Sequence, residues 1–185
     1  MIESLINIDE TLFNFINSDL SCLLFDVILV PIRHKFFWIP LYLFISAFIL
    51  LNFAKTKWLI FFTIGLCICL SDTTSSKIIK TNVQRIRPCH VQELNPVTRV
   101  PCSIGYSFTS SHATNHFALG IFFFSLFSFS KWRWFFIFWA GLIGFSQIYV
   151  GVHYPLDVLV GSLIGALIGW SCFKIFKLLE VKFYS

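Results

Sequence analysis

The sequence predicts an all-α fold, an integral membrane helical bundle of about five transmembrane helices preceded by an N-terminal interfacial helix. Three observations predict it. Hydrophobic residues make up 57% of the 185-residue chain and charged residues only 12%, where a soluble domain carries about 25%. The mean hydropathy is +0.79. The apolar positions, 24 Phe among them, gather into long runs separated by polar segments. This balance excludes an ordinary soluble enzyme, a disordered tail and a nucleic-acid binder. The formal charge of +5 comes from 14 basic and 9 acidic residues, so it reflects scarce acids rather than a cationic face.

Residues 1–35 read as an interfacial amphipathic region. Glu3, Asp9, Glu10 and Asp19 interrupt Leu5, Ile6, Leu12, Phe13, Phe15 and Ile16, the pattern of a helix lying in the headgroup plane. The start lacks the basic residues and the continuous apolar core of a cleaved signal peptide. The run 20–32 carries Asp26 and is short for a span, so an interfacial or re-entrant segment is expected there.

A spanning helix needs about 20 mostly apolar residues, because each backbone polar group must be satisfied inside the segment. Five stretches qualify: 36–53, 58–76, 109–130, 134–150 and 155–176. They form a transmembrane bundle over 36–176, followed by a tail at 177–185, and the whole chain 1–185 reads as a single membrane domain. With five spans, Lys55 and Lys57, Lys131 and Arg133, and Lys174, Lys177 and Lys182 fall on one side, the cytoplasmic one by the positive-inside rule. The segment 80–106, the turn 151–155 and the N-terminal region fall opposite, facing the periplasm if the membrane is a bacterial inner membrane. Arg33, Lys35, Lys80, Arg85, Arg87 and Arg99 also lie on that side, so the charge rule holds only if these cations have another job.

Cys89 and Cys102 flank the outer loop and can pair in an oxidising compartment, whereas Cys22, Cys67, Cys69 and Cys172 sit in apolar runs. The spacing of Cys and His matches no zinc motif, so neither a metal nor another cofactor is expected.

Polar residues within or at the mouth of a membrane bundle are costly and mark function. They form three clusters, each at the end of an expected span: KTNVQRIRP (80–88), SFTSSHA (107–113) and SQIYVGVHYPLD (146–157). Lys80 and Arg87 are two helical turns apart and face the same way if the helix runs to Pro88. Two such cations suit an anion, although either alone suits headgroup snorkelling. Thr109, Ser110 and Ser111 precede an apolar run and supply an N-cap with unpaired backbone N–H groups, a further anion site. His112 stands in that first turn, and its spacing to His116 would also fit two metal ligands. Asp157 lies four residues after His153, across Pro155, and is placed to accept from one imidazole nitrogen while the other stays free as nucleophile or base. The bland reading of that pair is a helix cap beside a packed histidine. Cations, hydroxyls, two histidines and one orienting carboxylate are the parts that phosphoryl transfer asks for.

The three clusters resemble the signature of the type 2 phosphatidic acid phosphatase (PAP2) superfamily: KxxxxxxRP, then PSGH, then SRxxxxxHxxxD. Lys80, Arg87 and Pro88 match the first element. Ser110 and His112 match the second, with Thr109 and Ser111 replacing its Pro and Gly. Ser146, His153 and Asp157 match the third. The resemblance implies a PAP2/vanadium haloperoxidase-like bundle and a metal-independent membrane lipid phosphatase acting through a phosphohistidine. It implies His153 as nucleophile, Asp157 as its orienter and His112 as acid and base. Lys80, Arg87, Ser110, Ser111 and Gln147 would bind substrate. Gln147 stands where the family has an arginine, which removes one cation; Arg85 and Arg99 are the candidates to replace it. Undecaprenyl diphosphate is the expected lipid, with lipid A and phosphatidylglycerol phosphate as alternatives. A lipid-phosphate-binding protein impaired by Gln147 is the reading from another class.

Overall fold

The computed structural model describes residues 2–184, which hold helices and connecting turns and no strand. The chain starts with α1 (Ile2–Asn14), which runs into a π-helical turn at Phe15–Asp19, and then α2 (Leu23–Ile32). The two are bent by 112° at the break, the geometry of a broken or re-entrant pair. A 3₁₀ turn at Lys35–Trp38 opens α3 (Ile39–Asn52). Next, α4 (Lys57–Asp72) passes through a π-helical stretch, Thr73–Ile79, into α5 (Lys80–Val83). The bundle closes with α6 (Ser111–Leu126), α7 (Trp134–Tyr149) and α8 (Pro155–Tyr184).

These helices occupy all five expected stretches, but not at the expected lengths. Lys35–Asn52, Lys57–His90 and Pro155–Phe183 are long and apolar enough to cross a bilayer, and the bent N-terminal pair is a fourth if taken as one broken span. By contrast, α6 and α7 have 16 residues each. At 1.5 Å per residue they fall short of a hydrocarbon core about 30 Å thick. The apolar runs of the sequence outlast these helices because the connecting turn itself carries Phe127 and Phe129. The last helix, α8, runs on through the segment expected as a tail to Tyr184, where Lys177 and Glu180 form an ion pair.

The main core is built from Ile49, Ile60, Phe122, Trp139, Ile143 and Phe176, all essentially closed to solvent. The helices α6 and α8 meet through small residues: a Cβ added at Gly165 would collide with the carbonyl of Thr114, and one at Gly169 with that of Ala118. Backbones can approach this closely only without side chains between them. Two smaller clusters dock the N-terminal helices onto one end of the bundle. Leu29 and Ile32 pack with Tyr149, Val150 and Val152, and Phe13 packs with Ile148 and Tyr154. Leu5, Ile8 and Leu12 stay exposed, so α1 keeps an outward apolar face while its inner face belongs to the bundle.

Candidate active site

The docked end is where α5 stops, α6 and α8 start, and the turn after α7 reverses the chain. Gly151, at φ +87°, makes that reversal. A Cβ there would meet Val97 O at 3.1 Å and Asn17 Nδ2 at 3.3 Å, so the room this glycine leaves is filled by the protein's own loop. The backbone N–H groups of Val152 and His153 both donate to Gln147 O at 3.2 Å, which locks the turn to α7.

Pro155 begins α8, and Asp157 reaches back to accept the Tyr154 N–H at 2.9 Å, a capping-box contact. The same Oδ2 accepts the hydroxyl of Ser107 and lies 3.5 Å from His153 Nδ1. Ser107 Oγ is itself 3.4 Å from Nδ1. The other ring nitrogen, Nε2, faces Arg87 Nη1 at 3.4 Å. Asp157 therefore caps the helix and orients the imidazole at once. His153 is 2% exposed. Burial pushes its pKa down to about 4, with Asp157 opposing the shift. The neutral ring holds its proton on the Asp157 side and its lone pair on Nε2.

Lys80 and Arg87 reach the site by another route than the one their spacing implies. The helix ends at Val83, and Gln84 turns left-handed at φ 54°. Both cations then grip one loop: Lys80 Nζ donates to Tyr106 O at 2.9 Å and Arg87 Nε to Gly105 O at 3.1 Å, while Arg87 Nη1 also donates to Val152 O at 3.2 Å. Each lies within electrostatic reach of His153.

Ser110 is the N-cap of α6. Its Oγ accepts the Ala113 N–H at 3.4 Å, and its own N–H donates to Asp157 O at 3.0 Å. The hydroxyl of Ser111 meets Ser75 Oγ at 2.8 Å and Ser76 Oγ at 3.0 Å, so the π-helical stretch accommodates the side chain that replaces the family glycine. His112 lies within electrostatic reach of His153, Arg87 and Arg33. Its ring stacks parallel to His116, whose Nδ1 lies 2.8 Å from the His112 carbonyl and whose ring meets Trp139 in a T-shaped contact. Gln147 is fully buried. Its Nε2 donates to Ser146 Oγ at 3.2 Å and to Ile143 O at 3.4 Å, and its Oε1 has no partner among the described residues.

Sequence reasoning read Asp9 only as a polar position of an amphipathic helix, placed Ser107 in a polar cluster without a role of its own, and offered Arg85 as a replacement cation on the phosphate. Arg85 donates to Asp157 Oδ1 at 2.9 Å and Asp9 Oδ2 at 2.7 Å, and its guanidinium lies 3.7 Å over the Tyr154 ring. Asp9, 1% exposed, also accepts the Leu156 N–H at 2.8 Å. Arg99 is equally committed, to Asp26 Oδ1 at 2.5 Å, Tyr149 O and Asn17 O, and Ser21 Oγ. Neither arginine is available as the third cation that Gln147 lacks. An acidic residue on the inner, apolar face of α1, beside Phe13, is the only local sign of Asp9's role. Cys89 and Cys102 are joined in a disulfide, and His90 Nε2 lies 3.3 Å from Cys102 Sγ; paired sulfurs are not the thiolates a metal would need.

A family model described as the PAP2 superfamily matches residues 56–180. The chain belongs to the PAP2 superfamily. Over its whole length this PAP2 protein is 31% identical to a lipid A 4'-phosphatase of Bacteroides thetaiotaomicron, covering 84% of that protein. It is 30% identical to an undecaprenyl-diphosphatase of Sulfolobus acidocaldarius, over 80% of this chain and 68% of the relative. The crystal structure of Aquifex aeolicus LpxE superposes with a TM-score of 0.67 at 26% identity, over 89% of this chain and 93% of that one. The PAP2 chain is a membrane lipid phosphatase, a phosphoric ester hydrolase whose substrate is a lipid phosphate of the bilayer.

Proposed function

We propose that this PAP2 phosphatase removes a phosphate from lipid A at the outward face of a bacterial inner membrane, through a phosphohistidine on His153. The observation that carries the chemistry is the division of the imidazole: Asp157 and Ser107 engage Nδ1, and Nε2 points toward Arg87. Lys80, Arg87 and the unpaired N–H groups at the start of α6, which Ser110 caps, receive the phosphoryl oxygens. Nε2 attacks phosphorus as the bond to the sugar oxygen breaks, and His112 gives that oxygen its proton. A water that loses a proton to His112 then attacks the phosphohistidine, which releases phosphate and restores both rings. Ser111, tied to Ser75 and Ser76, contributes its backbone N–H rather than its hydroxyl.

Likeness along the entire chain to a lipid A 4'-phosphatase favours lipid A as substrate. The undecaprenyl-diphosphatase relative, matched over most of this chain, supports undecaprenyl diphosphate as the second reading. The deciding assay offers detergent-purified protein each lipid in turn, with EDTA present, and follows phosphate release and lipid mass. Loss of one phosphate from lipid A that survives EDTA and vanishes in His153→Ala is the expected result. Release only from undecaprenyl diphosphate would select the second reading, and release from neither lipid would overturn both.

A further inference from the structure

Gln147 leaves this phosphate site one cation short of the family pattern, and the charge has to come from elsewhere or be missing. Arg85 and Arg99 are held by carboxylates. Lys35 lies over the Phe36 ring at 5.4 Å. Arg33 is different. It follows α2 directly, and Ile32 before it packs in the same apolar cluster as Val152 and Cys89. Val152 is the residue whose carbonyl receives Arg87. The guanidinium of Arg33 is half-buried and has no hydrogen-bond or ion-pair partner among the described residues. It sits close enough for its charge to act on both Arg87 and His112.

Like charges in a partly dry pocket repel, and their neighbours would be expected to neutralise them. The nearby carboxylates are engaged elsewhere: Asp157 serves His153, Ser107, Arg85 and the Tyr154 N–H, Asp9 serves Arg85 and the Leu156 N–H, and Asp72, which acts on Lys80 from a distance, accepts the Ser76 hydroxyl. Lys80 and Arg87 reach only backbone carbonyls and a neutral imidazole. Among the described residues no carboxylate forms an ion pair with Arg33, Lys80 or Arg87, so these three cations keep their charge for an anionic group. We propose that Arg33, delivered by the end of α2, is the third phosphoryl-binding cation of this protein and takes over the charge that Gln147 does not supply. Its flat fork suits two oxygens of one phosphoryl group. The N-terminal helices then have a chemical reason to dock on this end of the bundle, because they bring part of the anion site with them.

This inference rests on the phosphatase reading but is tested without turnover. Inorganic phosphate, the product, is titrated calorimetrically into purified protein carrying Arg33→Ala, Arg33→Lys, Gln147→Arg, or Arg33→Ala with Gln147→Arg. Loss of one charge-assisted contact weakens binding about tenfold to a hundredfold. Arg33→Ala is expected to show that loss, Arg33→Lys a smaller one, and the double variant recovery to near the wild-type affinity. Recovery also excludes misfolding, since the double variant carries the same deletion. Unchanged binding in Arg33→Ala, or a double variant as weak as the single one, overturns the proposal. Phosphate bound in this pattern by a protein that hydrolyses neither lipid would leave Arg33 standing and overturn the two substrate readings instead.

Discussion

At the scale of single residues, the site depends on which protonation state His153 holds. Its pKa is pushed down to about 4 by burial, against about 6.5 for an exposed histidine. The neutral, nucleophilic ring is therefore complete at pH 7 and is lost only as the pH falls through the depressed value. In histidine-labelled protein, the imidazole resonances that disappear in His153→Ala are expected to keep their neutral positions from pH 8 to about 5. Titration near 6.5 would show that the ring is not desolvated as described. Asp157→Asn keeps the shape but removes the charge that stabilises the ring when it becomes cationic. A fall in kcat on the order of a hundredfold or more, with a smaller change in KM, is the expected outcome of steady-state assays.

Between elements, two contacts hold the site together, and each predicts a different failure. The first is the seam of α6 and α8. Because Ser110 N–H donates to Asp157 O, the starts of these helices move as a unit. Gly165→Ala would press a methyl group into the Thr114 carbonyl, a backbone atom that cannot turn away. The cost of such overpacking is about 1–3 kcal/mol, more than the helix propensity that alanine adds. Gly141 in α7 has open space at its Cβ, so Gly141→Ala is the control that stays neutral or gains stability. Thermal unfolding in detergent compares the two. The second contact is Asp9, which ties α1 to Arg85 and to the first turn of α8. Asp9→Ala leaves the half-buried Arg85 guanidinium with one carboxylate fewer and the Leu156 N–H without its acceptor. Stability is expected to fall by about 1–3 kcal/mol and activity with it, although Asp9 touches no phosphate.

For the whole molecule, local pattern and distant contact were legible to different degrees. The helical membrane bundle follows from apolar runs, and the pairing of His153 with Asp157 follows from a four-residue step across Pro155, both short-range properties. Arg85 escaped the same reasoning because its partners lie 76 and 72 residues away in the chain. Lys80 and Arg87 were placed together for the wrong reason: a left-handed residue ends the helix between them, and loop carbonyls rather than helical phase bring them to one place. These committed cations also bear on orientation. Arg85 and Arg99 are paired with acids, and Lys80 and Arg87 with carbonyls, so they carry little of the solvated charge that the positive-inside rule counts. At the opposite end, Lys55 and Lys131 are exposed in the turns and belong to that count. That end is expected in the cytoplasm, with α8 finishing there and the site outside. A fluorescent protein fused to the C-terminus is therefore expected to glow, and a periplasm-dependent phosphatase reporter fused at the same position to stay silent. The reverse pair of signals would turn the site toward the cytoplasm and leave a periplasmic lipid phosphate out of its reach.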